Sequence, residues 1–386
     1  MRNVPELRFD GFDGEWEEHN LSEFISIYRG LTYSPKDITN NRSDTFVIRS
    51  SNVKNNSIID ADNVYVNPSI VNTENVKNGD IILVVRNGSR SLIGKHAAIT
   101  KDMPNTVIGA FMSGVRARTP DFINALFDTT KFDKNIRKNL GATINQITNK
   151  NISEMKFFFT DIEEQEKIGV LFKKLDALIE VQEDKVSKLE DFKKSMLQKM
   201  FPKKDELVPE FRFDGFDGGW NTKALGDLSE ISTGKLDANA MVPGGEYDFY
   251  TSGIEKYKID NYTFEGPSIT VAGNGATVGY MHLADGKFNA YQRTYVIQKI
   301  KGDRIFIFYQ IQSKLPRKIH EESRQGNIPY IVMNMLTDLY LDVPEIEEQE
   351  KIGQFFKNLD SLIENEEKLL ESYKNMKKSL LQKMFV

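Results

Sequence analysis

Hydrogen-bonding side chains cluster in two stretches of this sequence, each around an Asn-Gly pair, Asn87-Gly88 and Asn274-Gly275. Arginine can hold the O6 and N7 atoms of guanine with two hydrogen bonds, and asparagine or glutamine can hold the N6 and N7 atoms of adenine. Arginines and lysines elsewhere suit phosphate groups, which fix position without reading sequence. The clusters therefore favour contact with double-stranded DNA. The candidate DNA-binding residues are Arg86, Asn87, Ser89, Arg90, Lys95, Arg116, Arg118, Asn274, Tyr291, Gln292 and Arg293.

An ordinary solvated surface would carry the same residue types, and Asn-Gly turns are common in hairpins that serve only the fold. Here an apolar strand runs into the turn twice, from Ile82 to Gly88 and from Ile269 to Gly275. We take this recurrence as evidence for a fold shared by two domains more than for contact with a ligand.

Catalytic motifs are incomplete. The segment from Asn327 to Tyr330 is similar to the Asn-Pro-Pro-Tyr loop of adenine-N6 methyltransferases, but Ile328 breaks it and no Phe-x-Gly-x-Gly follows a strand. The glycine-rich segment from Gly273 to Gly279 lacks the Gly-Lys-Ser/Thr ending of a phosphate-binding loop. The chain has no cysteine and four scattered histidines, which leaves no recognisable metal motif. We therefore predict no catalytic residue, no metal site and no cofactor.

Two long repeats organise the chain. The segment from Glu163 to Phe201 returns from Glu347 to Phe385 with 23 identities in 39 positions. Both copies lack proline and favour helix, which at 1.5 Å per residue gives a length of roughly 58 Å. Alternating steps of four and three residues visit mostly apolar positions, which is typical of a coiled coil. This helix-pairing seam consists of Ile168, Phe172, Leu175, Ile179, Val186 and Leu189, and of Ile352, Phe356, Leu359, Ile363, Leu370 and Tyr373.

The seam predicts that the two helices pair with each other. The alternative is two unrelated amphipathic helices, each packed on its own domain. Both copies are interrupted by polar residues at the same two steps, Gln182 and Lys193 in the first and Glu366 and Lys377 in the second. These matched interruptions favour the pairing.

A shorter repeat shows that the whole chain is a tandem duplication. The segment from Val4 to Trp16 reappears from Val208 to Trp220 with 11 of 13 residues identical. A pseudo-twofold axis through the helices would make their pairing antiparallel and place the variable domains at opposite ends. The predicted fold is α+β, with two mixed α/β recognition domains joined by two long antiparallel coiled-coil helices. The predicted domains are 1–160, the first recognition domain; 161–201, the first helix; 202–345, the second recognition domain with its linker; and 346–386, the second helix.

Short apolar segments between turn residues predict strands inside the variable domains. The last of them could also be helical. The predicted strands are Phe46 to Arg49, Ile81 to Val85, Ala97 to Thr100, Gly114 to Ala117, Ser268 to Ala272, Tyr295 to Ile300 and Ile305 to Ile311.

Charge separates the parts of the chain, whose overall net charge is −5. The segment from Asn20 to Lys150 has a net charge of +6, that from Asn221 to Leu336 has +1, and the rest has −12. A polyanion is expected to meet the domains, and another protein to meet the acidic frame. With no signal-peptide core and no apolar run of membrane-spanning length, the sequence favours a soluble cytoplasmic protein with no membrane partner.

The repeated order of domain and long helix resembles the specificity (S) subunits of type I restriction-modification systems, the HsdS family. Ile-Glu-Glu-Gln-Glu-Lys-Ile, at Ile162 to Ile168 and Ile346 to Ile352, resembles the opening of that family's conserved helix, and Phe-Asp-Gly-Phe at Phe9 and Phe213 matches a lead found in many members. The copies differ at Asp161, where the second has Pro344-Glu345.

The resemblance implies a non-catalytic DNA reader. Each variable domain would recognise half of a bipartite, asymmetric DNA target, and the helices would hold two methyltransferase (M) subunits, through which restriction (R) subunits join. Two other classes stay open. One is an enzyme, a fused methyltransferase or nuclease, and the other is a stand-alone DNA-binding protein or coiled-coil adaptor.

Overall fold

The computed structural model describes residues 3–140, 145–322 and 330–386. Two compact units are present. The first consists of Met1–Glu183 with Leu369–Val386, and the second consists of Asp184–Lys368. Each unit thus combines one variable domain with a part of each long helix, so the compact units divide the chain differently from the four predicted segments.

The first variable domain contains two four-stranded sheets, and the two-stranded pairs β1-β12 and β5-β6 flank them. One sheet has the order β2-β11-β8-β9 and is antiparallel. The other has the order β10-β4-β7-β3, with β10 and β4 parallel. The strands are β1 (Glu17–Asn20), β2 (Ile25–Arg29), β3 (Ile38–Thr39), β4 (Thr45–Ile48), β5 (Val53–Lys54), β6 (Ser57–Ile58), β7 (Val64–Val66), β8 (Ile81–Val84), β9 (His96–Ala98), β10 (Thr106–Ile108), β11 (Met112–Ala117) and β12 (Lys156–Phe159), and the helices are α1 (Pro120–Phe127), α2 (Thr130–Asn139) and α3 (Asn149–Ser153).

Strand β8 is apolar at every position because both of its faces are covered. Ile81 and Leu83 point into a core that includes α1 and α2. Ile82 and Val84 point into a second core with Ile48 of the neighbouring sheet. Alternate side chains of a strand lie on opposite faces, so a continuous apolar run is what a doubly covered strand requires.

The first long helix, α4 (Ile162–Lys199), begins directly after Asp161. The Oδ1 atom of Asp161 accepts a hydrogen bond of 2.9 Å from the backbone N–H of Glu164. Asp161 therefore caps the helix, and the difference from the second repeat at this position does not interrupt the helix.

The second variable domain repeats the antiparallel sheet of the first. The mixed sheets share three strands but have the fourth strand at opposite edges. The antiparallel sheet has the order β14-β21-β18-β19, the mixed sheet has the order β16-β15-β20-β17, and β13 pairs with β22. The elements are β13 (Asn221–Ala224), α5 (Leu225–Leu228), β14 (Glu230–Thr233), β15 (Tyr247–Tyr250), β16 (Lys256–Ile259), β17 (Phe264–Glu265), β18 (Ser268–Ala272), β19 (Met281–Ala284), β20 (Lys287–Ala290), β21 (Thr294–Gln298), α6 (Arg304–Glu322), α7 (Met333–Thr337), β22 (Tyr340–Val343) and the second long helix α8 (Ile346–Met384).

Six of the seven predicted strands are present, with ends shifted by at most two residues. The seventh, Ile305 to Ile311, is wrong as a strand and lies in α6, the alternative that the sequence left open. Its buried residues include Phe306, Ile307 and Gln310. Spacings of three and four residues put these side chains on one helical face against β18.

The long helices are antiparallel within each unit. In the first unit Phe172 of α4 packs on Phe385 of α8, and Glu183 forms an ion pair with Lys374. In the second unit Lys185 pairs with Glu366, and Lys193 pairs with Asp360. In both units the partner number in α8 falls as the number in α4 rises, which confirms the predicted antiparallel pairing.

The side chains of the predicted seam are all buried or half-buried. The residues that pack into the variable-domain cores are the most buried, as Ile168 and Phe172 show in the first unit and Ile352 and Phe356 in the second. The half-buried ones are Ile179, Leu189, Ile363, Leu370 and Tyr373.

Candidate nucleic-acid interface

One edge of the first variable domain brings together four segments that are distant in sequence, 49–50, 86–90, 109–111 and 145–146. We call this edge the first tip. The backbone N–H groups of Val85 and Arg86 both donate to the carbonyl of Phe111, at 3.0 and 3.2 Å. On the other side Val85 accepts from the N–H of Ile147 at 2.9 Å. The end of β8 is thus held between two neighbouring segments.

The Asn-Gly turn of the first tip is fixed by its own side chains. The amide of Asn87 donates to the hydroxyl of Ser50 at 2.9 Å, and its carbonyl oxygen accepts from the backbone of Ser89 at 2.9 Å. The amide of Asn145 donates to the carbonyl of Gly88 at 2.9 Å. Asn87 therefore positions the turn, and the side chains beside it face solvent.

Most of the other predicted residues of the first domain are exposed. Ser89 shares a hydrogen bond with Ser91 at 2.9 Å, and Arg90 reaches the carbonyl of Leu140 at 3.5 Å. Lys95 lies directly before β9 and Arg118 directly after β11, and both are exposed. These four residues leave charged or hydroxyl groups available to a ligand.

Arg116 lies outside the first tip, in a cluster of charged side chains. Its guanidinium donates to Asp80 at 2.9 Å, forms an ion pair with Glu74, and lies 4.5 Å from the ring centre of Tyr28. The hydrogen bond with Asp80 is the main cause that raises the pKa of Arg116. Two carboxylates therefore already pair with this side chain, which connects β11 to Glu74 and Asp80.

The second variable domain has a tip with the same hydrogen-bond pattern, formed by 252–253, 273–275, 291–293 and Tyr330. Gly273 donates to the carbonyl of Arg293 at 2.8 Å and accepts from Ile331 at 2.8 Å. The hydroxyl of Ser252 donates to the amide oxygen of Asn274 at 2.7 Å, whereas in the first tip the amide of Asn87 donates to the hydroxyl of Ser50. Topologically, Gly273 corresponds to Val85, and Arg293 corresponds to Phe111.

The predicted residues of the second domain all lie at this tip. Asn274 and Tyr291 are half-buried, whereas Gln292 and Arg293 are exposed. Tyr291 donates its backbone N–H to Tyr250 at 2.9 Å. The exposed amide of Gln292 and the adjacent exposed guanidinium of Arg293 can therefore form hydrogen bonds with a ligand.

Two exposed aromatic rings at the tips were not among the predicted residues. Phe111 is 52% exposed and lies 4.9 Å from the guanidinium carbon of Arg86, and Tyr330 is 51% exposed. Phe111 has no hydrogen-bonding side chain, so the pattern of polar residues near the Asn-Gly pairs does not include it. Tyr330 belongs in the sequence to the incomplete catalytic motif, of which 327–329 lie outside the described residues.

The two leads are clamped to the starts of the long helices by matching ion pairs. Arg8 makes two hydrogen bonds to Glu164, at 2.7 and 2.8 Å, and Arg212 makes two to Glu348, both at 2.7 Å. Both carboxylates are buried. The hydrogen bond with Glu164 raises the pKa of Arg8. The signal in the sequence was the identical placement of Arg and Glu in both repeats.

Within residues 3–140, 145–322 and 330–386 there is no group of three or more histidine, aspartate or glutamate side chains that could hold a metal ion. None of the helices in the same residues has the length and apolar character needed to span a membrane.

A family model described as the type I restriction modification DNA specificity domain matches residues 13–191 and 217–374. The specificity subunit of type I restriction enzyme EcoDI from Escherichia coli is 36% identical over 163 residues, which cover 42% of this chain and 36% of that protein. The MjaVIII specificity subunit of Methanocaldococcus jannaschii is 22% identical over 277 residues, which cover 62% of this chain and 64% of the relative. The chain thus matches less than two thirds of the length of either relative.

A crystal structure of a type I restriction-modification S subunit from M. genitalium has the same fold. The TM-score is 0.72 at 16% sequence identity, with 99% of both chains covered.

Proposed function

We propose, because the chain belongs to the type I restriction-modification DNA specificity family, that it is the subunit that selects the DNA sequence on which such a complex acts. The observation that carries this proposal is the pair of tips. Each variable domain presents the same backbone frame, and the side chains on the two frames differ. Two domains with the same backbone arrangement but different side chains at the tip can each recognise a different DNA sequence.

The target is bipartite and asymmetric. The first tip offers the guanidiniums of Arg86 and Arg90 and the hydroxyl of Ser89, whereas the second offers the amide of Gln292 and the guanidinium of Arg293. Because hydrogen-bond donors and acceptors distinguish base pairs in the major groove, different sets imply different half-sites.

The candidate residues divide into three roles. Arg86 and Arg293 are the base-reading arginines, with Gln292 beside the latter. Exposed cations away from the turns suit phosphate contacts. The asparagines hold the turns, since their amides are already bound by serines. The phosphate contacts are Lys95 and Arg118, and the turn-holding residues are Asn87 and Asn274.

The long helices are the surface for two methyltransferase subunits, through which restriction subunits join. Apolar side chains remain exposed on α4, among them Val170 at 45%, Leu178 at 42% and Val181 at 66%. Beside them an open groove is lined by Phe9, Lys167 and other residues of the first helical turns. Exposed apolar groups in this number are typical of an interface with another protein. The chemistry, methyl transfer to adenine N6, then belongs to the partner.

Single-molecule methylation mapping tests the proposal. DNA is compared from cells that carry this chain with the methyltransferase subunit encoded beside it and from cells that carry the methyltransferase alone. We expect a methylated motif of two unlike half-sites with a fixed gap, present only with both proteins. A palindromic motif, or a motif that does not depend on this chain, would contradict the proposal.

A further inference from the structure

We propose that Phe111 contacts a base directly, with its ring against the C5-methyl group of a thymine, while the stacked Arg86 binds a neighbouring guanine. This inference rests on the proposed function, that the first variable domain reads DNA. It adds an apolar contact to a site that is otherwise made of hydrogen-bonding groups.

Phe111 is held rigidly by its backbone. It lies in the turn closed by the hydrogen bond from the N–H of Met112 to the carbonyl of Gly109, at 2.9 Å. Its own carbonyl accepts from both Val85 and Arg86. The turn therefore fixes the position of the Phe111 backbone. The ring of Phe111 is nevertheless half exposed. A large apolar group held in place at a polar edge is available for contact without further ordering of the backbone.

The guanidinium of Arg86 lies over this ring, 4.9 Å from its centre. Among the residues that the structure describes, no carboxylate forms an ion pair with Arg86, in contrast to Arg116 with its two acidic partners. Stacking occupies the face of the guanidinium and leaves its N–H edge free, which is the edge that binds guanine O6 and N7. Phe111 thus also positions Arg86.

The second tip also presents an exposed aromatic ring and an exposed guanidinium, but at other positions of the frame. Arg293 occupies the place of Phe111, because the backbone carbonyl of each accepts a hydrogen bond from the end of the central strand. Tyr330 forms an isolated β-bridge with Asn274, as Gln146 does with Arg86. An exposed aromatic ring and an exposed guanidinium therefore occur at both tips.

Thymine is the base that fits an apolar ring at this place. The C5-methyl of thymine is the apolar group that base pairs present in the major groove, where phenylalanine is a known partner for it. Hydrogen bonds from Arg86 would read the adjacent guanine. Phe111 and Arg86 together are therefore suited to a base-pair step that contains thymine next to guanine.

Deoxyuridine provides the test, since it removes only the methyl group from thymine. The full chain in complex with its methyltransferase subunits is titrated with duplexes of the mapped motif, in which each thymine of the first half-site is replaced by deoxyuridine in turn. We expect one replacement to weaken binding about 4-fold, the value for one buried methyl-sized group. Phe111→Ala should weaken binding to the thymine duplex and show no further loss with deoxyuridine at that position. Leu7→Ala, a truncation of another exposed apolar residue outside the tip, should keep the full response to deoxyuridine.

Several outcomes overturn the inference. They are a first half-site without thymine beside guanine, a wild-type complex that is indifferent to every deoxyuridine, and a Phe111→Ala variant with an unchanged response. Loss of recognition of both half-sites in Phe111→Ala would also count against it, because the second half-site reports whether the rest of the subunit is intact. A wild-type complex with no sequence preference at all would instead refute the proposed function itself.

Discussion

The Nζ atom of Lys377, in α8, lies 2.6 Å from the Oδ2 atom of Asp128 at the end of α1 in the first variable domain. The same ammonium forms an ion pair with Asp176 of α4. Asn56 donates to both oxygens of Asp128 at 2.7 Å. Burial lowers the pKa of Lys377, but the attraction of the two carboxylates outweighs it, so the net pKa lies above the ordinary value. One half-buried charge thus joins both long helices to the first variable domain.

Lys377→Met should lower the free energy of unfolding by about 1.5–3 kcal/mol, because it leaves the half-buried carboxylates of Asp128 and Asp176 without the ammonium. The control is Lys383→Met, whose exposed ion pair with Glu6 should contribute less than about 1 kcal/mol. Chemical denaturation of the full chain measures both. Equal effects of the two substitutions would show that this network is not the cause.

Arg8→Lys should destabilise the chain although it keeps the charge. A lysine cannot make the two parallel hydrogen bonds that Glu164 accepts from the guanidinium, so part of a buried carboxylate loses its partner. We expect a loss of about 1–3 kcal/mol in the free energy of unfolding. Arg137→Lys, at an exposed pair with Asp133 within α2, is the matched control and should stay within about 0.5 kcal/mol. A full rescue by lysine at position 8 would contradict this account.

His282 should make stability depend on pH in the acid range. Burial lowers the pKa of His282 below its ordinary value, and its ring lies between Tyr250 and Tyr280. The unfolded chain therefore takes up a proton near pH ~6.5, before the folded chain does, so stability is lost as the pH falls below that value. His282→Gln should flatten this part of the stability curve measured by denaturation at several pH values. His320→Gln, on an exposed helical position, is the matched control for the loss of one histidine.

Replacement of residues 20–150 by the corresponding domain of another family member should change one half-site and leave the other half-site and the gap unchanged. The reason is that the first tip lies wholly within these residues. Methylation mapping of the hybrid measures the result. A change in both half-sites would show that the two variable domains do not read independently.

The helices should determine the gap between half-sites, because α4 and α8 each pass from one compact unit into the other. Four residues inserted after Gln182 and four after Glu366 add about 6 Å to each helix and roughly preserve its apolar face. The gap should grow by one or two base pairs, at about 3.4 Å per base pair. An unchanged gap in an active complex, or altered bases in either half-site, would exclude this role.

The sequence predicted most of the frame because the frame depends on periodic patterns. The repeats and the seven-residue period of apolar residues were enough to predict the long helices and their antiparallel pairing. Contacts between distant segments had no such signal. Nothing near Arg116 in sequence indicates that Asp80 neutralises it, and nothing near Phe111 indicates that Arg86 stacks on it. The strand predicted from Ile305 failed because a short apolar run fits a strand and a buried helix equally well.

The core of the first unit includes Leu381, Met384 and Phe385, and the ring of Phe385 lies 6.2 Å from that of Trp16. The second unit, in contrast, is one continuous stretch, Asp184–Lys368. On the ribosome, therefore, the variable domain that is made first must wait for the end of α8 before its core can close. All residues of the second unit are translated before the end of α8. The usual order, in which N-terminal domains finish folding first, is therefore not open to the core of the first unit, whose last apolar contacts come from α8.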